Sequence, residues 1–189
     1  MGTYSMSTAA SRPRSDVRLA LVVMGVSGSG KTPVGLAIAQ ATGASFVDGD
    51  DLHDAAARAK MRRGVPLDDA DRAPWLDRIG ALLADAAAHP AGAIVACSAL
   101  RRAYRDRLRA RVGPALRFLF LNGDKALMRA RVAGRERHFM PASLIDSQFA
   151  TLESPEAELD VVTLAANADL AQALPGVIER LAQAPPATR

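Results

Sequence analysis

The stretch Gly25-Val26-Ser27-Gly28-Ser29-Gly30-Lys31-Thr32 fits G-x-x-x-x-G-K-[ST] at every position. It follows the apolar run that begins at Leu19 and precedes an Ala-rich helical pattern, so it reads as strand, phosphate-cradling loop and helix. In such a loop the glycines let backbone N–H groups turn inward around a β-phosphate. Lys31 neutralises charge on the β- and γ-phosphates, and the Thr32 hydroxyl is a magnesium ligand. ATP and Mg2+ are therefore the expected cofactors, held by residues 25–32. A dinucleotide fingerprint fails, because three residues after Gly30 stands Pro33 instead of Gly or Ala.

Pro33 falls in the first turn of the expected helix, where N–H groups have no intrahelical partner, so the fold tolerates it. Its cost falls on the ligand, since an amide that would reach phosphate is missing. The residue before a proline is also steered away from helical angles, which displaces the Thr32 hydroxyl. The expectation is weakened, not abolished, ATP binding.

Beyond the loop, β-rich segments recur at 19–25, 44–50, 93–99, 116–123 and 159–164, separated by Ala- and Leu-rich helical stretches. This alternation predicts an α/β fold: a parallel sheet with helices on both faces. With 189 residues, 49% of them hydrophobic, one domain over 18–182 is the simplest division. Residues 1–17, rich in Ser, Thr and Arg, read as a disordered leader, and 183–189 as a frayed tail. The polar, basic segment 131–141 contains Gly134 and reads as a small mobile lid.

The apolar run 19–26 is too short to span a bilayer, and no secretory pattern precedes it, so no membrane partner is expected. The single cysteine, Cys97, excludes an intramolecular disulfide and suits a cytoplasmic setting as a small buried residue. His53, His89 and His138 are too scattered for a zinc site. A net charge of +4 with only 4% aromatic residues argues against nucleic acid and for arginines gathered around a small anionic substrate.

Two aspartates stand out at the second strand's end. In "FVDGDDLH", alternation places Asp48 and Asp50 on one side, facing the crevice at the carboxyl ends of the strands. A carboxylate there either holds magnesium-bound water or orients a hydroxyl for attack; the plain alternative is an Asp-Gly turn with a helix cap at Asp51. After the third strand, Arg101 and Arg105 lie one helical turn apart and are expected to project together, able to grip a carboxylate or phosphate. Arg102, Arg107 and Arg109 read as solvated. In the lid, Arg131 and Arg135 share a helical face that can close over a polyphosphate.

The blocks "GVSGSGKT", "DGDDLH", "KMRRGVPLDDADRAPWL" (60–76), "CSALRRAYRDRLR" (97–109) and "RERHFMPASLIDSQFATLESP" (135–155) occur in an order and spacing that resemble the gluconate kinase family of small P-loop kinases. The resemblance runs from Leu19 to Pro155 and implies ATP-dependent phosphorylation of D-gluconate to 6-phosphogluconate, a lid, and a homodimer. It assigns Asp50 to the substrate hydroxyl as a catalytic residue beside Lys31, with His53 nearby. Arg72 is placed in the substrate-side helical region, where a surface ion pair is an equal alternative, and His138 is placed beyond the lid arginines. Trp75 reads as core. Gln148 and Thr151 either orient substrate or cap and pack. The family's Pro and Asn after the histidine are replaced here by Asp54 and Ala57, which bears on the choice among sugar acids. A shikimate-kinase-like enzyme and a P-loop protein with decayed catalysis are the alternatives.

Overall fold

The computed structural model describes residues 19–134 and 142–186. The leader, Arg135 and His138 of the expected lid, and the last residues of the tail lie outside the described residues.

Strands β1 (Ala20–Met24), β2 (Ser45–Asp48), β3 (Ala93–Ala96), β4 (Leu116–Asn122) and β5 (Val161–Ala165) form a parallel five-stranded sheet in the order β2-β3-β1-β4-β5. Helices α1 (Lys31–Thr42), α2 (Ala55–Arg62), α3 (Asp69–Ala87), α4 (Arg102–Val112), α5 (Lys125–Ala133), α6 (Ala142–Thr151) and α7 (Leu170–Gln183) alternate with them. The α/β architecture expected from the sequence is the one observed.

Alternation within β1 builds both layers of the core. Ala20, Val22 and Met24 face Trp75, Ile79 and Leu83 of α3 and Leu108 of α4, whereas Leu21 and Val23 face Ile38 of α1 and Val177 and Leu181 of α7. All five β1 residues are buried, as expected of a strand covered on both faces. A smaller apolar cluster joins Val26 of the P-loop to Leu100, Met128, Val132 and Ile145, so α5 and α6 brace the loop from outside.

The direction in which strands are added to the sheet reverses between β1 and β3, because α1 leads to one side of the sheet and α4 to the other. A crevice opens at such a point, outside the carboxyl ends of the strands. There the Gly25 N–H donates to the Ser98 carbonyl at 3.3 Å, joining the start of the P-loop to the corner after β3.

Two local expectations are corrected. Strand β2 ends at Asp48, and Asp50 follows on a 3-10 turn over Gly49–Leu52, so strand alternation does not carry Asp50. The turn's cap is Asp48, whose carboxylate accepts from the Asp50 N–H, while Asp54 caps α2 through the Ala57 N–H. Thr32 lies inside α1 despite the proline that follows it; the loop's packing and the Val34 N–H to Gly30 carbonyl bond outweigh the steric preference.

Candidate active site

The P-loop needs its glycines. Gly25, Gly28 and Gly30 have φ of 141°, 83° and 97°, a region that L side chains rarely adopt, and a Cβ on Gly28 would meet the Met128 carbonyl oxygen at 3.0 Å. Lys31 Nζ donates to the Gly25 and Val26 carbonyls at 3.1 Å each, so its ammonium lies over the loop. Among the side-chain polar atoms of the loop, the buried Ser29 hydroxyl has no hydrogen-bond partner.

Beside Lys31, the Thr32 hydroxyl donates to Asp48 Oδ2 at 3.2 Å. A hydroxyl and a carboxylate are hard oxygen donors of the kind Mg2+ prefers. Among the described residues no group of three or more His, Cys, Asp or Glu is placed to hold a metal.

Asp50 keeps solvent access, yet crowding by protein atoms raises its pKa, the Asp48 carboxylate adds to the rise, and Lys31 and His53 pull the other way. The Asp50 N–H donates to the Asp48 carboxylate, which also accepts from Thr32, so the turn seats Asp50 beside the helix end of the P-loop. Burial pushes the Cys97 thiol, beneath the same strand ends, up to about 12, leaving it a protonated apolar residue. His53 is only 4% exposed and stacks on Trp75, with ring centroids 4.4 Å apart and planes 12° apart. Trp75 Nε1 donates to the Gly49 carbonyl at 2.6 Å, which anchors the turn carrying Asp50. Burial lowers the His53 pKa against the pull of Asp50, and its Nδ1 has no partner.

A second set of groups connects α3 and α4. Arg101 Nη1 donates to Asp69 Oδ2 at 2.7 Å, the Tyr104 hydroxyl donates to Asp69 Oδ1 at 2.5 Å, and Arg72 Nη1 donates to the Tyr104 oxygen at 3.3 Å. Both guanidinium carbons stand 5.8 Å from the Tyr104 ring centroid. The Tyr104 hydrogen bond, with help from Arg101 and Arg72, holds the Asp69 carboxyl below its ordinary range. Arg72 and Arg101 were singled out from sequence; Asp69 and Tyr104, which join them, were not.

Arg105 is corrected. Its side chain is fully buried and bound to Glu158, so it is not available to grip a ligand. The spacing rule failed because Arg101 is the N-cap of α4, with extended φ and ψ of −89° and 146°, and its side chain leaves the helix in a direction of its own. Arg109, expected to be solvated, is paired with Glu158 and with Asp160.

On the outer side of the P-loop, the Ser27 N–H donates to Gln148 Oε1 at 2.6 Å, and Gln148 Nε2 donates to the Ser27 hydroxyl at 3.1 Å. Arg131 Nη1 reaches toward the Gly28 carbonyl at 3.5 Å. The Gln148 to Ser27 pair spans 121 residues and left no periodic trace in the sequence beyond the "SQFATLE" block.

Residues 21–155 match the family model described as AAA domain. The chain is 44% identical over 151 residues to the thermosensitive gluconokinase of Escherichia coli (strain K12), covering 79% of this chain and 80% of that protein. It is 47% identical over 135 residues to the gluconokinase of Gluconobacter oxydans (strain 621H), covering 71% and 75%. The crystal structure of a gluconokinase from Sinorhizobium meliloti 1021 superposes with a TM-score of 0.78 at 42% identity, over 89% of this chain and 94% of that one. Shikimate kinase from Bacteroides thetaiotaomicron, at 14% identity and a TM-score of 0.56, shares the fold alone. With its P-loop, its paired aspartates and these relatives spanning most of its length, the chain belongs to the gluconokinase family of P-loop kinases.

Proposed function

We propose that this chain transfers the γ-phosphoryl group of ATP to the terminal hydroxyl of D-gluconate, forming 6-phospho-D-gluconate and ADP. The observation that carries the reading is the position of Asp50 on the turn that Asp48 caps, Trp75 fastens and His53 ends, with Asp48 bonded to Thr32 of the P-loop; its pKa is raised by burial. The acceptor hydroxyl gives its proton to Asp50 as its oxygen bonds to the γ-phosphorus, and the bond to the ADP oxygen breaks. A base whose pKa is raised toward the working pH accepts that proton more readily.

Lys31 and the inward amides of residues 25–32 hold the polyphosphate. Thr32 and Asp48 would hold Mg2+, which supplies charge neutralisation on the phosphate oxygens. Arg101 and Arg72, oriented by Tyr104 and Asp69, meet the carboxylate end of the acceptor. Arg131 approaches from the lid side; Arg135 and His138, outside the described residues, complete the lid in this reading. No described helix is long and apolar enough to cross a membrane, and we place the enzyme in the cytoplasm as a homodimer, which light scattering of the purified chain tests.

A coupled assay of ADP release with ATP and Mg2+, run over D-gluconate, other aldonates and shikimate, tests the reaction. Release dependent on D-gluconate is expected. Release with shikimate alone, or ATP binding without any acceptor-dependent release, contradicts it.

A further inference from the structure

We infer that Arg105 is a positioning residue, which sets the corner between β3 and α4 and thereby aims Arg101 at the acceptor. The inference rests on the phosphotransfer reading above.

The corner is conformationally costly. Ala99 has φ of 44°, the left-handed region, and among the described residues it is the one non-glycine with positive φ. A fully buried residue keeps such a conformation only where its surroundings over-determine it. Arg105 supplies that determination. Its Nη1 donates to the carbonyls of Ala99 and Leu100 at 3.0 and 3.1 Å, while Nε and Nη2 are held by the Glu158 carboxylate at 2.5 to 3.1 Å. The planar guanidinium thus works as a rigid bracket between the segment before β5 and the two carbonyls of the corner. Glu153 reinforces it: its N–H donates to the Leu100 carbonyl at 2.9 Å, and its carboxylate accepts from the Arg102 N–H at 2.5 Å, capping a helix whose N-cap side chain does not cap it.

What the bracket holds lies on both sides of the site. One residue before Ala99, the Ser98 carbonyl receives the Gly25 N–H; two residues after it, Arg101 reaches Asp69. The nucleotide side has independent support, because the ladder bond from the Cys97 N–H to the Val23 carbonyl and the loop's own turns do not involve Arg105. Arg101 is less independent of Arg105: apart from the Glu153 bonds at Leu100 and Arg102, its backbone carbonyl is held by the Tyr104 and Arg105 N–H groups of the same helix end. A loosened corner therefore displaces the acceptor's arginine and spares the ATP site.

The test compares Arg105→Lys with Glu158→Gln. Lysine keeps the charge but has no planar fork to span the carboxylate and both carbonyls. Glutamine keeps one of the two acceptor oxygens and removes the charge and the other acceptor, so the bracket is weakened while Arg105 keeps its fork on the corner carbonyls. Arg105→Lys is expected to raise the KM for D-gluconate about tenfold, short of the ~100-fold that a 1 Å misplacement can cost, with the affinity for a non-hydrolysable ATP analogue unchanged. Glu158→Gln is expected to lower Tm and to raise that KM by less than Arg105→Lys does. Hydrogen exchange over 97–104 reads the corner without any acceptor, and should be faster in Arg105→Lys than in Glu158→Gln. A wild-type KM and wild-type exchange in Arg105→Lys overturn the inference, as does a KM that is the same in the two variants at equal loss of Tm. Absence of D-gluconate turnover in the wild-type enzyme contradicts the phosphotransfer reading instead, and the exchange experiment still decides the role of Arg105.

Discussion

The nucleotide half of the site and the acceptor half are made of different material. The nucleotide half is mostly backbone: one contiguous loop, whose φ angles of 141°, 83° and 97° require glycine and whose position follows from the strand before it and the helix after it. The acceptor half, as proposed here, is made of side chains from separate elements: Asp50 on a 3-10 turn, Arg72 and Asp69 on α3, and Arg101 and Tyr104 at the start of α4. A contiguous loop carries its geometry in its own residues. A set of side chains drawn from several elements takes its geometry from the packing of those elements.

The largest effect that can break this contrast comes from Lys31. Lys31→Ala should lower kcat by at least about 100-fold, because an oriented cation against the transferred group is lost and the loop carbonyls it spans are freed. Steady-state kinetics within a few-fold of wild type would remove the loop from the chemistry. Next comes Arg101→Ala, which should raise the KM for D-gluconate by roughly 10- to 100-fold, the equivalent of one charge-assisted bond, and leave ATP affinity alone. If ATP affinity drops as well, the two halves are not separable.

Pro33→Thr is a smaller test of the backbone half. It restores an N–H in the first turn of α1; the bond gained is worth at most ~3 kcal/mol and the lost stiffness of proline offsets part of it, so an ATP analogue should bind a few-fold more tightly, a net gain of about 1 kcal/mol. Because Thr32 is helical already and its hydroxyl already meets Asp48, the gain is confined to the amide and should not extend to metal binding. Equal or weaker binding in calorimetry would make Pro33 a neutral helix-start residue.

The smallest effect concerns acid stability beneath the acceptor half. Burial would raise the Glu158 pKa, but Arg105 and Arg109 outweigh it and hold the carboxyl below its ordinary range. A depressed folded-state pKa contributes stability that is present above the unfolded glutamate value of about 4.3 and lost as pH falls through the folded value. Glu158→Gln should therefore lose less Tm than wild type between neutral pH and that acid range; parallel melting curves would show that the pair is not pH-coupled.

Sequence carried the backbone half almost completely, and the reason is physical. Glycine spacing and the Lys-Thr pair encode a local conformation, and alternation of apolar runs with helical stretches encodes a parallel sheet. Side-chain direction across elements was far less legible. Arg101 and Arg105 are four residues apart, but the first is an N-cap in extended geometry and the second turns into the segment before β5, so the helical spacing rule applied to neither. The Tyr104 bond to Asp69 spans 35 residues and the Gln148 bond to Ser27 spans 121, distances over which no periodicity operates. Asp50 was identified for a reason that does not hold, strand alternation. It is held where it is by a turn capped by Asp48 and fastened by Trp75.

The division between the halves meets at Asp50, and Asp50→Asn tests it most directly. Single-turnover phosphoryl transfer and titration with an ATP analogue should be measured on the same preparation. An amide keeps the size of the side chain and loses the base, so the transfer rate should fall by about 100-fold or more while nucleotide affinity stays at the wild-type value. Collapse of ATP binding with an unchanged rate per bound complex would contradict the account and make Asp50 part of the nucleotide or metal site.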